Sequence, residues 1–449
     1  MRTTALRAGR ALAAVSGPVA SCHDPRGAAS PVLTSACPWD GDSVTCITAA
    51  SIVAPDGAMA TVLLDLTPLN SDSRTRGIGR YVSSLARAIA ATDPSARRGL
   101  EVTGLVRDVP WGGGPWFDPT LGFAGNDATP PQRVARRWHH FVRRLTLYGR
   151  LRRTRAALFH ATEATEWAPP AGLAYVVTCF DLIPILFAGL YPSSVPFTPQ
   201  WRLRDARRRY GRARRVIAVS EATRRDLVAT LGLDPARSDV VPCGVDSARF
   251  HAAPDPADDE RVREALGTSR PYLLYVGGAD ARKNVPFLLR AFARSGVAAD
   301  VDLVLVGSDP ALAAAVRTTA AACGVTGRVL LPGYVSDATV AALYRRCRGH
   351  VFASLYEGFG LTVAEALACG APTATTMNSS VPEVAGDAAI ELPGTDVDGA
   401  AAVIRRLVDD AALRDDLRRR GPLQVRNFTW EACARGVLET YRRALADER

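Results

Sequence analysis

The stretch "HVFASLYEGFGLTVAEALACGAP", residues 350–372, reads as strand, turn and helix in immediate succession. "HVFAS" is a short apolar run, "LYEGFG" a turn whose two glycines allow close backbone approach, and the helix begins near Thr362. Gly370 and Pro372 end that helix in the usual way. Two carboxylates, Glu357 and Glu365, stand eight residues apart in it. Carboxylates are rarely left in apolar surroundings without a partner, so both need one. The helix N-terminus supplies unpaired amides at the positive end of the macrodipole, where an anion or a sugar hydroxyl is held. Each carboxylate also has a structural reading. Thr362 to Glu365 matches the capping box S/T-x-x-E, and Glu357 reads as a solvated loop residue.

Outward from this unit the same pattern repeats. From Met59 the chain alternates strand, loop and helix: "TVLLDL", the helical "GIGRYVSSLARAIA", then "AYVVTCF", "RVIAVS" and a helix from Glu221. Around "DVVPCGVDSARFHAAPDPADDE" the periodicity lapses into a linker, and a second set starts with "YLLYVGG" and runs through "DLVLVG", "RVLLPGY" and "GHVFAS". Alternating units imply parallel sheets with helices on both faces. The expected organisation is therefore an α/β chain of two doubly wound, Rossmann-like domains, 59–250 and 251–427, facing each other across a cleft. A helix in 428–449 is expected to return toward the first domain. Ligands in open α/β sheets bind at the carboxyl ends of the strands, which is where the motifs cluster. A length of 449 residues also exceeds one ordinary core, and no apolar run of 18 residues or internal repeat occurs. Nine cysteines without a C-x-x-C pair argue for a reducing compartment, and the six histidines lack ligand spacing, so no metal is expected.

Residues 1–58 have no sustained period and many turn formers. Three readings compete: a non-globular, disordered extension, a gene start placed too early (Met59 stands just before the first strand), or a lipoprotein signal. For the last, Arg2, Arg7 and Arg10 precede "VASC" at Cys22, but Ser16, Gly17 and Pro18 interrupt the apolar stretch.

The net charge of +10 is carried by arginine: 54 of the 55 basic residues are Arg, and Lys283 is the one lysine. A chain that exchanged Lys for Arg almost everywhere kept lysine at one place, in "YVGGADARKNVPFLL". There Gly277 and Gly278 leave a strand and Arg282 and Lys283 precede a helix. Two cations in such a loop suit a diphosphate, Arg as a fork and Lys as a compact charge. "SRTRGIGRY" holds part of a dinucleotide fingerprint, with Gly77 and Gly79 but no third glycine. From Arg133 to Arg155 the chain has nine arginines and no acidic residue, and Val134, Trp138, Phe141, Leu145 and Tyr148 form one helical stripe. That pattern fits either a solvated helix face or contact with an anionic membrane surface; no nucleic-acid-binding module is present.

"YVGGADARKNVPFLL", "VLLPGYVSDATVAALYRRC", "SLYEGFGLTVAEALACGAPTATTMNSSVPEVAGDAA" and "NFTWEACA" together resemble the retaining GT-B glycosyltransferases of family 4. "TRGIGRYVSSLARAI", "VVTCFDLIP" and "IAVSEATRRDL" resemble that family's N-terminal half, so the likeness spans roughly residues 60 to 445. The resemblance implies that Glu357 contacts the donor sugar with amides near Gly358, Phe359, Gly360 and Leu361, and that Glu365 binds the nucleotide ribose. It implies further donor contacts at Gly278, Tyr334 and Val335, a diphosphate held by Arg282 and Lys283, and an approach of Gly77 or Gly79 to the phosphates. One departure stands out: where many members have His or Tyr before the Asp of "D-L-I-P", this chain has Phe180 before Asp181. His160 and Asp181 are then the candidates on the acceptor side, though His160 reads equally well as a buried structural histidine.

The expected function is a cytoplasmic, metal-independent transferase without cofactor, peripheral on the inner face of the membrane if the basic helix touches lipid. It moves a hexose, mannose from GDP-mannose as first choice, from a nucleotide-sugar donor to a glycan or lipid-linked acceptor with retention of configuration. The rivals are a catalytically silent nucleotide-sugar-binding subunit and a GT-B sugar-nucleotide epimerase; the E-x7-E pair disfavours the second.

Overall fold

The structure, a computed structural model, describes residues 59–70, 77–105, 156–162, 173–190, 199–278, 280–307 and 310–447. The expectations for residues 1–58 and for the helix from Arg133 to Arg155 lie outside the described residues.

Among the described residues, twelve strands form two six-stranded sheets, and every pairing within them is parallel. The first sheet contains β1 Ala60–Asp65, β2 Leu100–Leu105, β3 Leu158–Ala161, β4 Tyr175–Cys179, β5 Arg215–Ala218 and β6 Ser238–Val240. The second contains β7 Tyr272–Val276, β8 Asp302–Val306, β9 Val329–Gly333, β10 Gly349–Phe352, β11 Thr373–Thr375 and β12 Ala389–Glu391. Apolar runs such as Val62–Leu63–Leu64 and Leu303–Val304–Leu305 are buried throughout, as strands covered by helices on both faces must be.

Strand order explains where a ligand would sit. The orders are β2-β1-β3-β4-β5-β6 and β12-β11-β10-β7-β8-β9. The chain winds outward in one direction from β1 and from β7, then restarts in the other direction from β3 and from β10. The crevices at these reversals, outside the carboxyl ends of β1/β3 and β7/β10, are the topological switch points of doubly wound sheets. The loops after β7 and β10 carry Arg282, Lys283 and Glu357.

Two crossings join the halves. After β6 the chain passes to the second domain, and at Thr429 it returns; Val245 and Thr429 form a parallel bridge, and Val245 N–H donates to the Phe428 carbonyl at 2.8 Å. The returning helix, Trp430–Ala446, lies on the first domain. Its Tyr441 hydroxyl is 2.7 Å from His160 Nδ1, and Arg443 pairs with Asp239 at 2.8 Å. No helix among the described residues is long and apolar enough to cross a membrane.

The crossings touch at Gly244, where an added Cβ would lie 2.6 Å from the Thr429 carbonyl carbon. Backbone cannot yield as a side-chain tip can. Gly244→Ala should cost about 2 kcal/mol or more and lower the melting temperature by several degrees. Gly211→Ala, where a Cβ meets nothing within 4 Å, is the matched control and should melt like the wild type or slightly above it. Equal melting of the two variants by circular dichroism would contradict the tight crossing.

Candidate active site

The loop after β7 is shaped by its own sequence. The Asp280 carboxylate accepts from the Arg282 amide at 3.1 Å, and Asn284 takes a left-handed φ of 57° that starts the helix Val285–Ser295. This turns Arg282 and Lys283 toward the neighbouring β10 loop, which is tied back in return: Leu355 N–H donates to the Arg282 carbonyl at 2.7 Å. Arg282 Nη1 and Lys283 Nζ then both donate to one oxygen, Glu357 Oε1, each at 2.7 Å. Arg282 Nη1 also reaches the Tyr356 carbonyl at 2.8 Å, and Lys283 Nζ stands 4.8 Å over the Phe352 ring. The Glu357 amide donates to Ser379 Oγ, and its carbonyl accepts from Ser380 Oγ.

All three charged groups are nearly closed off from solvent. Burial alone would push the Glu357 carboxyl up, but Lys283 and Arg282 outweigh it and hold the carboxyl below its usual range. Burial lowers the Lys283 ammonium, against the pull of Glu357 and with the push of Arg282. Arg282 Nε also pairs with Asp280 at 3.3 Å, so the two cations face one buried carboxylate and a second, more exposed one in a low-dielectric site. Such cations attract an anion of higher charge.

Gly358 brings the two domains into backbone contact: a Cβ there would overlap the Phe180 carbonyl oxygen and lie 3.1 Å from Asp181 Cβ. Its carbonyl accepts from Ser220 Oγ at 2.6 Å and Thr223 Oγ1 at 3.1 Å. Next to it the Glu383 carboxylate accepts from the amides of Glu221 and Ala222 at 2.8 and 2.7 Å, and the Tyr356 hydroxyl donates to Asp226. The Phe180 ring leaves the cleft and meets Tyr81 edge-on, with centroids 4.9 Å apart. Asp181 stays at the seam, half-buried. Loss of solvation pushes its carboxyl up, while the Ile183 amide and Arg282 pull the other way.

Glu365 makes a contact that its sequence neighbours do not announce. The helix Leu361–Ala368 starts one residue before Thr362 and is capped by Gly360 at φ 93°, so the Thr362–Glu365 capping box does not form. Glu365 instead accepts from Arg80 Nη1 at 2.6 Å, across 285 residues, while Arg80 Nη2 pairs with Asp337. Asp337 is held on its other oxygen by Arg249 at 3.0 Å. Burial drives the Glu365 carboxyl up to about 7; Arg80 opposes this and Asp337 adds to it. Arg80, the fourth residue of the helix Gly77–Ala91, was hidden in the sequence among the arginines of "SRTRGIGRY".

The remaining candidates divide. Gly77 opens that helix with open space around it, Gly79 is buried within it, and Gly278 faces open space beside the cationic loop. Tyr334 is 73% exposed and half-buried Val335 follows it; both precede the helix that begins at Asp337. Phe359 is buried edge-on against Phe428, and Leu361 is the first residue of its helix. His160 corrects the acceptor-side expectation. It is fully buried, Nδ1 is bonded to Tyr441 and Nε2 to Thr178 at 2.8 Å, and burial lowers it to about 3. Neither nitrogen is free for an acceptor.

A carboxyl raised from 4.5 to about 7 makes the fold bind a proton that the unfolded chain has released. The stability from Glu365 is therefore fully present below about pH 4.5 and lost as pH rises through about 7. Glu365→Gln removes this loss, so relative to wild type it should gain roughly 1–3 kcal/mol between pH 5 and pH 8 in urea denaturation. A pH-independent difference would contradict the raised carboxyl.

Residues 75–249 match the family model "Glycosyltransferase Family 4" and residues 257–424 match "Glycosyl transferases group 1". The chain is 33% identical over 177 residues to the O-antigen chain mannosyltransferase B of Escherichia coli, covering 38% of this chain and 45% of that protein. It is 31% identical over 294 residues to the D-inositol 3-phosphate glycosyltransferase of Xylanimonas cellulosilytica, covering 63% of this chain and 68% of that protein. It spans between 45% and 61% of the length of the first curated relatives that it matches. Among solved structures, the sucrose-phosphate synthase of Thermosynechococcus elongatus superposes with a TM-score of 0.67 at 22% identity, covering 86% of this chain and 99% of that one. The paired sheets, the cationic loop facing Glu357 and these matches agree: the chain has the GT-B fold and belongs to glycosyltransferase family 4.

Proposed function

We propose that the protein moves a hexose from a nucleotide diphosphate sugar to an acceptor hydroxyl with retention of configuration. Mannose from GDP-mannose is the first choice, and polysaccharide, glycolipid or cell-envelope glycan synthesis is the setting. The observation that carries the reading is the pair of buried cations, Arg282 and Lys283, on one oxygen of Glu357 at the β7/β10 switch point. Likeness to a mannosyltransferase and the "DLIP" segment support the choice of mannose.

In this reading Arg282 and Lys283 turn from Glu357 to the donor diphosphate and neutralise the charge that develops as the glycosidic bond breaks. The amides at the start of the helix Leu361–Ala368 assist, and no metal is required. Glu357, released from one cation, accepts from a sugar hydroxyl, and Glu365 holds the ribose. Transfer proceeds on one face of the sugar, with a donor phosphate oxygen helping to take the acceptor proton. Asp181 stands on the acceptor side. Closure at Gly358 excludes water and limits hydrolysis. The acceptor is a glycan or a lipid-linked glycan, and the basic segment Arg133–Arg155 would rest on an anionic membrane from the cytoplasmic side.

A second reading, a silent binding subunit, draws on Phe180, whose ring packs on Tyr81 where many relatives place a polar side chain. Turnover separates the two. Thermal-shift screening with GDP-, UDP- and ADP-sugars should find one stabilising donor, which the wild type then transfers or slowly hydrolyses. Lys283→Ala should lower turnover by about 100-fold or more, the loss of roughly 2–3 kcal/mol from a charge-assisted contact made in the transition state. Lys283→Arg should recover only part, because a planar fork does not replace a compact ammonium held on Glu357 and over the Phe352 ring. Donor binding by the wild type with neither transfer nor hydrolysis would favour the silent subunit.

A further inference from the structure

The Arg80 contact joins a residue of the first domain to the carboxylate on which the proposed function seats the nucleotide. Its two prongs differ. Nη1 holds Glu365, nearly closed off from solvent, while Nη2 holds Asp337 at the rim, where Arg249 already supplies a second cation. Asp337 can therefore keep a partner whatever Arg80 does, whereas no second cation is bonded to Glu365 among the described contacts. Arg80 itself retains about a third of its surface and stands 5.9 Å over the Phe250 ring in the crossing segment. It therefore keeps contact with water while it holds Glu365.

We infer that Arg80 is a latch: in the ligand-free protein it closes the cleft by occupying the Glu365 carboxylate, and an entering nucleotide must displace it there while Asp337 retains its other prong. Arg80 is thus a positioning residue with two opposed effects. It competes with the nucleotide for Glu365 in the ground state, because a competent cleft exists only when the latch is open. Once the nucleotide is seated, the contact to Asp337 pulls the domains together, which the reaction needs for excluding water. The inference rests on the proposed donor site, and its test is arranged so that the two can fail separately.

The latch is read without ligand by hydrogen exchange on the full chain. In Arg80→Ala, peptides covering 355–361 and 219–224, the two sides of the Gly358 seam, should exchange about threefold faster or more than in wild type. The binding arm uses GDP, UDP and ADP, whichever binds the wild type. Arg80→Ala should bind that nucleotide about fivefold tighter, with kcat lowered and a larger share of donor lost to hydrolysis. Asp337→Asn, which spares the Glu365 prong, should leave nucleotide affinity unchanged and lower kcat. A purely structural arginine would instead lower affinity and stability together.

Unchanged exchange at the seam overturns the latch. Faster exchange with weaker nucleotide binding overturns the competition and makes Arg80 an ordinary ligand contact. If none of the three nucleotides binds the wild type, the donor reading falls, and the exchange arm still decides the latch. Should Arg80→Ala fail to fold, Arg80→Gln, which keeps a long polar side chain but has no cation to offer Glu365, carries the same comparison with the same signs.

Discussion

A carboxylate cannot be carried into a protein interior unless a cation goes with it, and Glu357 takes two. Arg282 and Lys283 meet on a single oxygen of that side chain, and the rest of the site follows from holding them there. The cations come from the loop after one strand and the carboxylate from the loop after its neighbour, so only adjacent β7 and β10 can bring them together. Replacing a buried ion cluster with well-packed apolar groups often costs nothing in stability. The cluster is better understood as a site that waits for a stronger anion than as a brace for the fold.

The same logic runs across the cleft. Gly358 has no side chain, and that lets the first domain's Phe180–Asp181 backbone lie against the second domain's Glu357–Gly360 turn. At Glu365, where the proposed function seats the nucleotide, Arg80 makes the corresponding contact, so both carboxylates of the E-x7-E pair are held by arginine or lysine. In the proposed reaction such a site is charged in advance and exchanges partners when the donor enters. The two crossings are themselves tied together by the bridge between Val245 and Thr429.

Much of this was legible in the residues. Alternating strand and helix patterns gave the two sheets, and glycine-rich turns after apolar runs placed the site. The lone lysine pointed to the loop that meets Glu357: where arginine serves nearly everywhere else, an ammonium sits beside Arg282 and over the Phe352 ring. What sequence could not reveal were pairs made by folding alone. Arg80 and Glu365 are 285 residues apart, and a local rule, the capping box, offered Glu365 a nearer partner that the left-handed Gly360 cap removed. His160 misled for the same reason. Its partners, Thr178 and Tyr441, lie on another strand and on the returning helix, and nothing local to "LFHATEA" shows that both ring nitrogens are taken.

The central claim is that Glu357 serves the sugar and not the nucleotide, though it is bonded to the cations that would hold the diphosphate. Glu357→Ala separates the two, measured as transfer rate and as calorimetric affinity for the bare nucleoside diphosphate of the preferred donor. The account predicts that transfer is abolished while affinity for the bare nucleotide stays within a few-fold of wild type, because Arg282 and Lys283 are freed for it rather than lost. A variant that still transfers, or one that loses nucleotide binding in step with transfer, would contradict it.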